Sequence, residues 1–411
     1  MKKLGVVLKV VCLCSCILLS CCGKKYALAD SKALTTDIST ITMPEGVMLV
    51  GLGEASHGNS EFQQLKLEVF KALVVNNGCR VFAIEGDFGG AAKVNDYIHN
   101  GKGTAKEAVA EIGFSIYRTQ EMADLVQWMH DYNDSCKIGE DLHFYGFDMQ
   151  RYDNNKEILF DYLDNVDSTL SQKYQKKLVY LTDDTMFSLD SKTLKTATKD
   201  IKSLMKQMKA SSNNYKNENK EDYDLALQCA QCILENTKLR SEDTGYNETR
   251  DRFMKNKVDW IVQHEKDEMV FLNGHNGHIE KSSAVNYTCM GSRLSKEYKD
   301  AYFSIGTDVY ETEFNAVSGD ENKVFTVKNA NDFTNQLSEI ENNMYYLDFS
   351  KVEEDNNWKK ILNTTQNMIA LNAEFSDWQS MIKQCFTLTI MPAKAYDAVI
   401  IVKNATPSHK F

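Results

Sequence analysis

Apolar positions along the chain follow two periods. Between residues 147 and 244, a stretch without glycine, Ile158, Tyr162, Leu163 and Val166 fall at helical spacings, as do Leu194, Ala197, Ile201, Leu204 and Met208. This spacing keeps apolar side chains on one face of a helix and predicts a mostly helical segment over 151–249. On either side, short apolar runs alternate with helical patterns. The runs at 47–50, 80–84, 143–145, 269–272, 302–305 and 398–402 read as buried strands. After the first of them, Phe62, Leu65, Val69 and Ala72 share a helical face, with Ser60 and Gln63 spaced as a capping box and Gly78 placed to end the helix. The pattern predicts a three-layer α/β fold: a mostly parallel sheet flanked by helices, with a helical insertion at 151–249 that covers a cleft.

The start of the chain follows different rules. Lys2, Lys3 and Lys9 accompany an apolar stretch at 10–19, shorter than the ~20 residues a spanning helix needs. Residues 1–20 therefore read as an export signal. Leu18-Leu19-Ser20-Cys21 resembles a bacterial lipobox, which makes Cys21 the expected lipidated N-terminus of an exported protein anchored at the cell envelope. Residues 21–44 are then expected to be a tether and 45–411 the catalytic domain. Losing three lysines with the signal takes the net charge from −11 to −14, which argues against nucleic acid as a partner. Of the 11 cysteines, seven would remain after the signal and Cys21 are set aside, too scattered for a disulfide framework. The Cys229-x-x-Cys232 pair lies in a helical pattern and reads as two small apolar residues rather than a metal site.

Polar residues cluster just past the carboxyl ends of the expected strands. Glu54 and His57 follow the first, Glu85 and Asp87 the second, Asp148 the third, His275 and His278 the fourth, and Asp308 the fifth. In open α/β sheets ligand crevices form at that edge. Asp87, Asp148 and Asp308 are as readily helix caps as functional groups. Glu54 and His57 stand among Gly51, Gly53 and Gly58, and His57 precedes a helix whose positive end disfavours the imidazolium form. The chain has no GxGxxG or P-loop fingerprint and no Gly-x-Ser-x-Gly elbow, which leaves direct attack by water ahead of a serine acyl-enzyme.

At these residues the chain resembles the erythromycin esterase family. The resemblance runs through Gly53-Glu54-Ala55-Ser56-His57-Gly58, Glu61-Phe62, Leu65-Lys66, Phe82-Ala83-Ile84-Glu85-Gly86-Asp87 and Val94-Asn95-Asp96-Tyr97. It continues through Tyr145-Gly146-Phe147-Asp148, Arg250-Asp251 with Met254 and Trp260, His275-Asn276 with His278, and Gly291 with Leu294. The resemblance implies a hydrolase of a carboxylic ester or macrolactone, with an erythromycin-type macrolide as the default substrate and no cofactor. It implies His57 as the general base, Glu85 and Glu54 as its carboxylate partners, and His275 and His278 as completing the cleft. Lys66, Asp148 and Arg250 would bind substrate. Lys257 stands where the family usually has Asn, and 116–119 keep only part of the usual aromatic block, departures that bear on substrate choice. Two alternatives stay open: a metal-dependent hydrolase using the same imidazoles, although no HExxH occurs, and a non-catalytic lipid-anchored ligand-binding protein.

Overall fold

The computed structural model describes residues 33–411 apart from 217–218, 242–243, 267 and 354–356. The expected export signal, Cys21 and the first part of the expected tether lie outside the described residues. Among the described residues the strands are β1 (Leu34–Thr35), β2 (Leu49–Glu54), β3 (Val81–Asp87), β4 (His143–Asp148), β5 (Val270–His275) and β6 (Tyr302–Ser318), then β7 (Glu321–Lys328), β8 (Met344–Asp348), β9 (Gln366–Ile369), β10 (Thr387–Ile390) and β11 (Ala398–Ala405). Nine of them form one sheet in the order β1-β8-β11-β6-β2-β5-β3-β4, with β7 hairpinned onto β6, while β9 and β10 form a separate ribbon. The run from β4 to β11 is parallel throughout. Within this sheet, among the described residues, antiparallel pairing is confined to β8 on β11, β1 on β8, and the β6–β7 hairpin. The fold is thus the expected mixed, mostly parallel α/β sheet between helices.

Successive strand residues point to opposite faces, and the cores divide accordingly. Val50, Leu52, Phe82, Ile84, Phe144 and Phe271 pack with helices Ser60–Asn77, Phe88–Asn100, Ala105–Glu111 and Gln120–Ser135. Leu49, Val81, Ala83, Val270 and Leu272 pack on the other face with helices Asp153–Val166, Ser168–Leu178, Ser191–Ala210, Lys220–Arg240 and Tyr246–His264. A third cluster around Tyr345, Trp358, Val399 and Ile401 closes the β8–β11 end. Each fully buried Phe or Leu in these layers contributes about 1.5–3 kcal/mol.

Local details depart from expectation in two places. The first long helix ends at Gly78 in the left-handed region (φ 69°), but its start lacks the expected capping box. Asn59 is the N-cap, the Ser60 hydroxyl instead bonds Glu121 at 2.6 Å, and the Gln63 amide donates to the His57 carbonyl. The end of the expected tether also docks onto the domain. Its β1 pairs with β8, and Ile38, Ile41 and Met43 join the same core as Phe70.

Candidate active site

The carboxyl ends of β2, β3 and β5 lie side by side and carry Glu54, Glu85 and His275 into one place. Glu54 is opposite His275 in the β2–β5 register. Between Ile84 and Asp87 the β3–β4 register slips by one residue, a bulge that lets Glu85 leave the strict alternation of the sheet. Its Oε2 accepts the backbone N–H of His275 at 2.8 Å. His57, Glu85, His275 and His278 are only 8%, 7%, 9% and 9% exposed.

His57 sits in the turn between β2 and the following helix. Its Nδ1 is 3.6 Å from Glu54 Oε2, longer than a hydrogen bond but within the slack common in unliganded sites. The turn is clamped from outside. Gly58 donates to Ser56 Oγ and accepts from the backbone N–H groups of Asn315 and Ser408, and the Asn59 amide reaches Thr312, Glu313 and Thr406. A Cβ on Gly58 would lie 2.0 Å from the Asn315 carbonyl oxygen, so only glycine fits that approach.

Behind His57, Glu54 and Lys66 form an ion pair at 3.1 Å with no exposed surface on either side chain. Burial opposes ionisation of Glu54, but Lys66 and then His57 hold its pKa below the ordinary carboxylate value. Burial draws the Lys66 ammonium below its usual value against the pull of Glu54. Lys66 also donates to Gln63 at 2.6 Å and lies over the Tyr117 ring, whose hydroxyl bonds the Glu85 carbonyl. Expected to bind substrate, Lys66 is instead sealed beneath the site. It positions Glu54.

The second carboxylate, Glu85, is held by Arg250 at 2.7 Å and by His278, whose Nε2 is 3.3 Å away. Although burial favours the protonated acid, His278 and Arg250 keep Glu85 well below the usual range. Arg250 also grips Asp148 at 2.6 Å, and Asp148 is fully buried. Asp148 is therefore an anchor for Arg250, and the expected substrate contact for it does not survive. The Arg250 side chain keeps 15% of its surface exposed. His278 Nδ1 meets Asp251 at 2.9 Å. Burial alone would lower its pKa, but Glu85 and Asp251 raise it to about 10, while its Nε2 also lies 3.1 Å from Arg250 Nη1.

His275 is the opposite case. Burial, reinforced by the nearby His57 and only partly offset by Glu85, brings its pKa down to about 3. Its Nδ1 accepts the Gly277 N–H at 3.3 Å, which puts the proton of the neutral ring on Nε2. That Nε2 is buried without a hydrogen-bond partner, and the ring centroid is 5.2 Å from that of His57. The site thus presents a carboxylate-backed imidazole, a neutral imidazole N–H donor and a third imidazole held between Asp251, Glu85 and Arg250 on one rim.

Asp87 and Asp308, left open between capping and function, are structural. Asp87 caps the helix Phe88–Asn100 through the Gly90 N–H and accepts from Asn155. Asp308 accepts the backbone N–H groups of Val309 and Ile369 and the amide of Asn331. Burial raises their acids to about 7 and about 6 respectively. Asp251, Tyr117 and Asn276 stand in motifs legible in the sequence but without a role assigned there, and Thr307 was not singled out. Asn276 and Thr307 exchange hydrogen bonds of 2.7 and 3.1 Å that tie the His275 turn to β6. The signal for Asp251 was its place beside Arg250, which puts two charged residues on the first turns of helix Tyr246–His264. The imidazoles and carboxylates do not converge as metal ligands: among the described residues, no three ligand atoms from Glu54, His57, Glu85, His275 and His278 lie within 4.8 Å of one another.

Known proteins share this framework. Erythromycin esterase type II of Escherichia coli is 24% identical over 292 residues, covering 64% of this chain and 69% of that protein. A crystal structure of a Bacillus cereus protein superposes with a TM-score of 0.78 at 23% identity, over 92% of each chain. A mutant of the erythromycin esterase EreC in its open conformation gives a TM-score of 0.66 at 14% identity, over 89% of this chain and 92% of that one. At these identities the structural likeness is one of fold. The erythromycin esterase family model matches residues 74–405, most of the chain and all of the sheet from β3 onward, and the protein belongs to that family, whose members point to hydrolase chemistry.

Proposed function

We propose that the protein hydrolyses a carboxylic ester or lactone by direct attack of water, with His57 as general base. Water adds to the carbonyl carbon as its proton passes to His57, and Glu54 holds the resulting imidazolium. The charge that develops on the carbonyl oxygen meets the Nε2–H of His275, a donor fixed in place before the reaction starts. Collapse breaks the bond to the alkoxy oxygen, which takes the proton back from His57, leaving acid and alcohol. On this reading Arg250 and His278 would attract the carboxylate product.

The observation that carries this reading is the unpartnered, buried Nε2 of a neutral His275 beside His57. A macrolide lactone is the first substrate to try, because the E. coli relative is named for erythromycin. We further propose export and lipid anchoring at Cys21, where intact mass would read the acyl chains. Mass spectrometry of erythromycin incubated with the protein tests the central claim: ring opening adds one water, and no addition across a panel of macrolides and simple esters would leave only a ligand-binding role. Loss of turnover on chelation, with recovery on zinc or manganese, would replace the His57 mechanism with a metal-dependent one.

A further inference from the structure

A second cluster of histidines lies at the other edge of the sheet. His143 opens β4 and Asp148 closes it, so at ~3.3 Å per residue the two are about 17 Å apart. At the His143 end, side chains from two segments, His99 on one and Asp141 with His143 on the other, turn towards a common point. Asp141 Oδ2 is 3.0 Å from His143 Nε2 and 3.5 Å from His99 Nε2, and one ligand atom from each of the three lies within 4.8 Å of the others. His99 comes from the last turn of helix Phe88–Asn100, and Asp141 from the loop before β4.

We propose that His99, Asp141 and His143 form a binding site for a divalent transition metal of the zinc class, separate from the hydrolytic site. Two imidazoles and one carboxylate suit a borderline cation such as zinc, whereas calcium or magnesium would require a shell of oxygens. Tetrahedral zinc with bonds of roughly 2.0–2.2 Å separates its ligand atoms by about 3.3–3.5 Å, close to the spacings present. The supporting contacts are those that metal-binding histidines use. His99 Nδ1 is 2.7 Å from the Asn95 carbonyl and His143 Nδ1 is 2.8 Å from the Glu265 carboxylate, so both Nε2 atoms face the common centre. Glu265 is fixed in turn by the Tyr145 hydroxyl. About a third of each side chain is solvent-accessible, which leaves a route in and room for a water as fourth ligand.

The location gives the site a structural role. Glu265 directly follows helix Tyr246–His264, whose first turns carry Arg250 and Asp251 into the hydrolytic site. A metal held by His143 would thus brace the far end of that helix, along with the end of Phe88–Asn100 and the entry to β4.

The test uses metal-stripped full-length protein and zinc or cobalt alone. Calorimetry should find one zinc per chain with a Kd in the micromolar range or below, and a rise in Tm. Cobalt should give visible d–d bands of low-coordinate nitrogen and oxygen ligation. His99→Ala and His143→Ala should each weaken binding by more than about 100-fold, and Glu265→Gln by about 10- to 100-fold. His275→Ala and His278→Ala should leave stoichiometry and affinity unchanged. Should His143→Ala fold poorly, Asp141→Asn, on a part-exposed loop, should still abolish the zinc-induced Tm shift. No uptake at a hundredfold excess of zinc, or uptake that survives the His99 and His143 substitutions, would overturn the proposal. Binding lost only on substitution of His275 or His278 would move the ion to the hydrolytic site and equally overturn it.

Discussion

Replacing Lys66 by Met tests whether the buried ion pair sets the state of the Glu54 carboxylate. Both Lys66 and Glu54 are completely buried, and the Met side chain fills similar volume without charge. The cost comes from what is left behind: an uncompensated carboxylate in the core, worth about 3–5 kcal/mol of stability at neutral pH. The sign with pH follows from linkage. In the native protein Glu54 titrates below its ordinary 4.5, so its contribution is present above that value and fades as pH falls through the depressed pKa. In Lys66→Met, burial is opposed by His57 alone, Glu54 titrates above 4.5, and the deficit should shrink on acidification at up to about 1.4 kcal/mol per pH unit. Urea unfolding of both proteins at pH 7.5, 6.5 and 5.5 measures this directly. Lys66→Met/Glu54→Gln should recover much of the stability but not the activity, because His57 then lacks its anionic partner. A Lys66→Met deficit under about 1 kcal/mol, or one that does not change between pH 7.5 and 5.5, would refute the reasoning and make the pair an incidental feature of packing.

Three other outcomes follow from the geometry. His57→Ala should lower kcat about 100- to 10,000-fold with the fold intact by circular dichroism, the usual worth of a positioned general base. His275→Ala should cost about 100- to 1,000-fold in kcat with little change in KM, and His275→Gln, which keeps a donor, should recover part of it in steady-state kinetics. His278 carries a pKa raised from 6.5 to about 10, so its stabilising contribution is whole below 6.5 and lost as pH climbs through about 10. The urea midpoint should therefore fall between pH 7 and 10.5, and Asp251→Asn should flatten that fall.

What the sequence made legible was what burial on both faces makes legible. The strands β2, β3, β4, β5, β6 and β11 are largely or wholly buried and spell continuous apolar runs. By contrast, β7 is mostly exposed, and β1, β9 and β10 are short, so their patterns do not rise above those of loops. The second half of β6 escaped notice for a similar reason: from Tyr310 its burial turns intermittent, and past Thr312 it leaves the parallel pairing with β11 and continues against β7. At the site, Glu54, His57, Glu85, His275 and His278 could be placed together because strand ends in a parallel sheet share an edge. Depth could not be read the same way. Nothing in a one-dimensional pattern separates Lys66, sealed under Glu54, from Arg250, which stays partly exposed, since both lie on amphipathic helices. The partners Asp251 and Asn276 depend on helix rotation and strand register, which only the folded chain fixes.

The clamp on the His57 turn has a consequence for the order in which the molecule is assembled. Asn59 and Thr406 are 347 residues apart, and the bonds of Ser60 and Gly58 to Thr406 and Ser408 are as long-range. A ribosome working at roughly 5–20 residues per second needs on the order of 20 to 70 s to travel from one to the other. During that interval the β2–β3 unit and its helix can already have formed, whereas the turn that bears His57 still lacks the backbone that holds it. Contacts at such separation carry the largest loop-closure cost and are made late. The His57 turn is therefore completed only in the finished chain, and a nascent or partly folded molecule lacks the contacts that fix it.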